Sequence, residues 1–173
     1  MTIRTMTAAD VAGVVALWQR CGLTRPWNDP HADIAFARAT ATAEILVDAD
    51  EAGIGGGIGA EIGGGIAGAV MVGHDGHRGT VYYLGVDPDR AGRGRGRALM
   101  AAAEDWLRAR GVWKLNLLVR ESNAAVVGFY TALGYGDQHC RVLGKRLDGH
   151  PDRTPPGRTL PGRTLPERRE PER

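Results

Sequence analysis

Between Asp89 and Met100 the chain reads DRAGRGRGRALM, four arginines and three glycines followed at once by an apolar run. Two unrelated chemistries suit such a stretch. Disordered arginine–glycine segments coat single-stranded RNA, whereas a glycine loop opening a helix holds phosphate on bare backbone amides. The flanks decide. YYLGV before the loop is a β-branched and aromatic strand, and Leu99, Ala102, Ala103, Trp106 and Leu107 after it recur at helical spacing on one face. A helix start carries unpaired N–H groups and the positive end of the helix dipole. Gly92, Gly94 and Gly96 remove side chains that would keep a phosphate off those amides. Arg90, Arg93, Arg95 and Arg97 add attraction and can fork onto phosphate oxygens. The loop is expected to cradle a phosphate ligand. Its spacing is not G-x-G-x-x-G after the first strand, and G-x-x-x-x-G-K-[ST] occurs nowhere, which disfavours a dinucleotide fold and a P-loop.

Two further groups of residues invite chemistry. In HDGHRG, His74 and His77 flank Asp75, but Asp75-Gly76 is turn chemistry and no third ligand clusters nearby, so no metal is expected. Cys21 and Cys140 lie far apart without zinc-ligand spacing and read as reduced, packed thiols.

The elements that must position the loop are those of a single domain. The chain has 173 residues, 43% hydrophobic, enough for a core without disulfides. A formal net charge of +2 gives no case by itself for nucleic acid or an anionic membrane. The N-terminus lacks the apolar core of a signal peptide and no apolar run approaches a membrane span, so a cytoplasmic location is expected. EAGIGGGIGAEIGGGIAG, Glu51 to Gly68, reads as an insertion between two strands. From Gly149 onward the chain carries six prolines and almost nothing apolar, the composition of a disordered tail outside a domain spanning 1–148.

TIRTM is expected as a strand. Thr7 and Asp10 form a capping-box-like start for a helix carrying Val11, Val14, Val15 and Trp18 and ending at Gly22. Asp29 caps a second helix with Pro30 at its first position. EILVDA, IAGAVMVG and TVYYLGV are strands, and the long helix after the loop ends at Gly111. KLNLLV is a strand, 123–133 a helix, and HCRVLGKRL a closing strand. The order β-α-α-β-β-β-α-β-α-β defines a mixed α/β domain.

These residues resemble the GNAT family of N-acetyltransferases. Its loop signature, [RQ]-x-x-G-x-[GA], is met by AGRGRG except at Ala91, and its second signature by ESNAAVVGFYTALGY. CGLTRPWNDP, GHDGHRGTVYYLGV and LGKRL are most similar to the YpeA-like acetyltransferases. The resemblance implies a mostly antiparallel sheet with splayed central strands and flanking helices. It implies an N-acetyltransferase that moves an acetyl group from acetyl-CoA to a primary amine by direct attack in a ternary complex. By the same resemblance, pyrophosphate rests on the amides of Gly92 to Arg97, including those of Arg93 and Arg95, and pantetheine pairs with the backbone of Leu84, Gly85 and Val86. Asn123 bonds the pantetheine arm, and Tyr130 protonates the departing thiolate. Without the family, the residues favour reading Tyr130 as a core aromatic beside Val126, Val127 and Phe129.

The acceptor end is expected to be lined by the loop holding Trp27 and Asn28. The family's ribosomal-protein enzymes carry a glutamate where this chain has Leu118, so the amine's base is sought among Asp75, His77 and Glu121. Ala91 and Leu118 also admit a non-catalytic acyl-CoA-binding module, and the loop with the tail a nucleic-acid binder, which the tail's acids oppose. The resemblance leaves monomer and homodimer both open. Truncation before Gly149 should leave melting temperature and turnover unchanged; a large loss in either would show that the tail packs on the domain.

Overall fold

The computed structural model describes residues 1–49, 65–120, 122–145 and 147. Most of the glycine-rich insertion, Glu121 and the tail lie outside the described residues. In chain order the elements are β1 (Thr2–Thr5), a 3-10 turn (Ala8–Asp10), α1 (Val11–Arg20), α2 (Pro30–Arg38), β2 (Ala43–Ala49), β3 (Ile66–His74) and β4 (Gly79–Val86). A 3-10 turn (Pro88–Arg90), α3 (Arg95–Arg108), β5 (Leu115–Asn116) and α4 (Ala124–Thr131) follow. The expected insertion therefore ends earlier, because Ile66 to Gly68 already belong to β3.

The five strands lie in sequence order, antiparallel except for β4 with β5. β2 is buried from Ile45 to Asp48 and β3 from Ile66 to Val72, as expected of central strands covered on both faces. On one face, Val14, Leu17 and Trp18 of α1 and Ile34 of α2 pack against Ile45, Val47 and Ala69. On the other, Leu99, Met100, Ala103 and Leu107 of α3 pack against Leu46, Val70 and Val72. A β-carbon at Gly68 would stand 2.7 Å from Leu99 Cδ1, so the absence of a side chain there lets the start of α3 settle against the sheet.

β4 is irregular where it matters. Met71 faces Tyr82 and Ala69 faces Gly85, so Tyr83 and Leu84 together oppose Val70 in a bulge, with Tyr83 at φ 53°. Its other edge meets β5 only at Gly79–Leu115 and Thr80–Asn116. The expected KLNLLV strand is thus cut to two residues, and beyond Thr80 the strands part. The expected closing strand does not form: 139–145 and 147 carry no helix or strand. The physical reason is that β5 is too short to offer a ladder, and Val142 and Leu143 stand adjacent rather than alternating. Cys140 is consequently exposed, against the packed thiol expected of it, whereas half-buried Cys21 donates to the Val86 carbonyl at 3.3 Å.

The start of α1 is anchored as its sequence required. The Asp10 carboxylate accepts from the Thr7 N–H at 2.7 Å and hydroxyl at 2.8 Å, and takes Arg4 of β1 in a two-pronged pair at 2.7 and 2.8 Å. Arg4 above all holds that carboxyl well below the usual range. Because folding depresses this pKa, its contribution is complete above the ordinary value of about 3.9 and fades as pH falls below it. Asp10→Asn should lower the melting temperature near neutral pH by roughly 5 °C, from about 2 kcal/mol of charged hydrogen bonding at about 2–4 °C per kcal/mol. Melting curves of both proteins should converge as the solution is acidified; a constant gap would show that the charge is irrelevant.

Candidate active site

The glycine loop runs between the end of β4 and α3, as its flanks required. Gly92 and Gly94 adopt φ 77° and 76°, the left-handed region that only glycine enters freely, and Gly94 caps α3. A β-carbon on either would meet no atom within 4 Å, so both border open space. The first-turn amides of α3 are unpaired within the helix and carry its positive end, which makes this a cradle for an anion.

The third glycine serves packing. A β-carbon on Gly96 would stand 3.3 Å from the Phe129 ring, so its bareness admits α4 onto the first turn of α3. The arginines also divide. Arg93 and Arg97 are exposed beside the cradle. Arg95 turns inward to the buried carboxylate of Asp48 on β2, with Nη1 donating to Oδ2 at 2.5 Å. Its side chain is therefore not the exterior phosphate fork its residue type suggested, although its amide stays in the first turn. Arg90 leans back toward Asp87 at 4.0 Å. Asp87 in turn binds Arg20 of α1 at 2.8 Å and accepts from the Asp89 N–H at 3.2 Å. Carboxylates thus hold both ends of the loop.

From the cradle, the bulged half of β4 runs away with no strand along its outer edge among the described residues. Leu84, Gly85 and Val86 lie in this half. Gly85 has to be small, since a β-carbon there would stand 3.0 Å from Leu23 and 3.2 Å from Cys21 Sγ. On α4, Asn123 is the cap residue but makes no side-chain cap bond, leaving its amide available. Tyr130 lies two helical turns further on, hence toward the same side. Its ring sits edge-on to Phe129 and Tyr135 at centroid distances of 5.1 and 5.7 Å. Burial raises its phenol pKa, which keeps the proton on oxygen.

Residue-by-residue reading missed Tyr83. Its ring stacks on the buried Trp18 at 4.3 Å between centroids, its hydroxyl donates to Asp33 at 2.6 Å, and Asn28 donates to that oxygen at 3.2 Å. Burial foremost, then the bond to Asp33, raises its pKa. The only signal in the sequence was a second aromatic in YYLGV, which looked like ordinary strand composition. The expected acceptor residue Asn28 is thereby tied to the bulge, and neighbouring Trp27 is 41% exposed.

Asp75 and His77 are not brought there. They sit in the β3–β4 turn, where Asp75 Oδ1 accepts from the N–H groups of His77 at 2.8 Å and Arg78 at 2.6 Å. The turn begins β4 and the glycine loop ends it, so roughly 25 Å of strand separates them. Among the described residues no metal-holding cluster occurs. Leu118 is exposed and chemically inert. A concavity of about 290 Å³ lined by Glu104, Trp113, Lys114 and Tyr135 lies toward the far end of α3 from the cradle.

The model of the GNAT acetyltransferase family matches residues 11–135. An acetyltransferase of Yersinia enterocolitica is 46% identical over 147 residues, 85% of this chain and 96% of its own. One of Pectobacterium atrosepticum is equally similar, at 46% over 147 residues. Among solved structures, the Escherichia coli ribosomal-protein-S18-alanine N-acetyltransferase superposes with a TM-score of 0.61 at 27% identity, over 77% of this chain and 76% of that one. An aminoglycoside N-acetyltransferase solved with CoA gives 0.68 at 15% identity, over 84% and 94%, a likeness of fold. No helix among the described residues is long and apolar enough to cross a membrane.

Gly94→Ala should cost the protein about 1–2 kcal/mol of left-handed strain, yet abolish thermal protection by a pyrophosphate-bearing ligand such as CoA. Scanning calorimetry with and without CoA separates these effects. Protection equal to that of the original protein would remove the cradle role from this loop.

Proposed function

The chain belongs to the GNAT family of acetyltransferases and is an acetyl-CoA-dependent N-acetyltransferase; we propose that it transfers the acetyl group to a primary amine entering from the α1–α2 side, with Tyr130 as the acid for the thiolate. The observation that carries this reading is the open outer edge of β4, leading from the glycine cradle past the bulge. When bound, acetyl-CoA supplies an activated thioester. The protein's part is to bind, orient and move protons.

The residues fit that ligand. Gly92 and Gly94 leave a space that side chains would fill, and the amides from Gly92 to Arg97 hold its pyrophosphate, with Arg93 and Arg97 beside them. The backbone of Leu84 to Val86 pairs with the pantetheine amides as a missing strand would, and Asn123 adds its side-chain amide. An N–H near Val86 faces developing charge on the carbonyl oxygen, the role of an oxyanion-hole donor. Tyr130 holds its proton by burial and gives it up at its hydroxyl oxygen.

On the acceptor side, Asn28, Tyr83 and Asp33 make a hydrogen-bonded wall ending in one carboxylate, which suits a cationic amine. Trp27 lies beside it. The acceptor is a small molecule or a peptide amine; a cytoplasmic location, independence of metal and no role for nucleic acid complete the proposal.

Thiol release measured across a panel of amines tests the activity, and binding of CoA without release for any amine would favour a non-catalytic module. For the acid, Tyr130→Phe keeps the ring packing and removes only the proton donor. It should lower kcat by about ten- to a thousandfold, with CoA affinity and melting temperature nearly unchanged. An unchanged kcat with chemistry rate-limiting would refute this role.

A further inference from the structure

Asp48 is fully buried on β2, on the face where Leu46, Val70 and Leu99 form an apolar core. Its Oδ2 takes the guanidinium of Arg95, the first residue of α3, while its Oδ1 has no hydrogen-bond partner. Taking two charges out of water is costly, and apolar residues of similar volume commonly serve stability as well or better. A buried carboxylate with one oxygen unpartnered is poorly explained by stability alone. Its position supplies an explanation: Arg95 lies between Gly94 and Gly96, within the cradle itself.

We propose that Asp48 and Arg95 are a positioning pair for the pyrophosphate cradle. The carboxylate on β2 draws the side chain of the first helical residue inward, with only 15% of it exposed. That fixes the rotation of the first turn of α3, so its amides converge on the ligand. Asp87 with Arg20 does the same where the loop leaves β4, so sheet and helix grip the loop at both ends. The pair also settles the charge beneath the site. A bare carboxylate under an anion cradle would repel phosphate, and Arg95 neutralises it while leaving Arg93 and Arg97 to face outward. Neither residue touches the reacting atoms in this proposal, which rests on the acetyl-CoA reading above.

The test compares two acetyl donors, acetyl-CoA and S-acetylpantetheine, which lacks the pyrophosphate. A misplacement of about 1 Å costs up to about a hundredfold. Asp48→Asn, nearly isosteric, should raise the KM for acetyl-CoA and the Kd for CoA about ten- to a hundredfold, with kcat at saturation within about threefold. The loss of kcat/KM on acetyl-CoA should exceed that on S-acetylpantetheine by at least about tenfold. Arg95→Met should lose more than Asp48→Asn, because it strands a carboxylate beneath the site. The combined variant Asp48→Asn with Arg95→Met should lose less than the product of the two single losses.

Equal losses on both donors would reveal general damage to the fold and overturn the proposal. Tighter CoA binding in Asp48→Asn would also overturn it, showing that Asp48 merely keeps Arg95 from the phosphate. Failure of the original protein to bind CoA at all would instead undo the functional reading, so the two failures are distinguishable.

Discussion

Strand β4 is hydrogen-bonded to β3 along one edge, whereas β5 meets its other edge at only two residue pairs. Backbone amides and carbonyls that lose water need partners, since an orphaned group costs about as much as a lost hydrogen bond. The arrangement around β4 follows from that unfinished ladder. β5 stops at Asn116, the bulge at Tyr83 and Leu84 re-aims the strand, and α3 and α4 flank the opening. In the proposed binding mode, an extended ligand with amides of its own completes the ladder, and the positive end of α3 receives its phosphates. The left-handed backbone at Tyr83 is held by the stack on Trp18 and the bond to Asp33. Such strain persists where surrounding structure enforces it, and here the enforcement comes from the helices of the acceptor side.

The two faces of the sheet thereby divide the labour. α1 and α2, with Trp18, Asn28 and Asp33, fix the bulge and build the wall an amine would meet. α3 and α4 carry the proposed cradle, the amide of Asn123 and the proposed acid Tyr130. Gly96 links these last two helices by admitting Phe129, so a residue read as part of the phosphate loop also sets the distance between α3 and α4.

Where local chemistry decides conformation, the sequence was legible. The caps at Asp10 and Asp29, the glycine stops at Gly22 and Gly111, the hairpin turn at Asp75-Gly76 and the strand–loop–helix frame all rest on contacts within a few residues. What escaped depended on distant partners. Arg95 looked like a phosphate ligand until Asp48, 47 residues earlier, drew it inward. The signal was present, an aspartate in phase with Leu46 just after the apolar run Ile45 to Val47, but pairing it required the fold. HCRVLGKRL has strand-forming residues, yet a strand needs an edge to join, and the length of β5 is a tertiary outcome. Tyr83 was hidden for a similar reason, because a bulge is a property of two strands together.

In the proposed binding mode, the backbone of one loop and one strand edge receive the two ends of the same ligand. Titration of amide-labelled protein, followed by heteronuclear magnetic resonance, reads both directly. CoA should shift the amide signals of Gly92, Gly94 and Gly96 together with those of Leu84 to Val86, whereas pantetheine should shift only the second group. Loop amides that stay unmoved by saturating CoA would contradict the account.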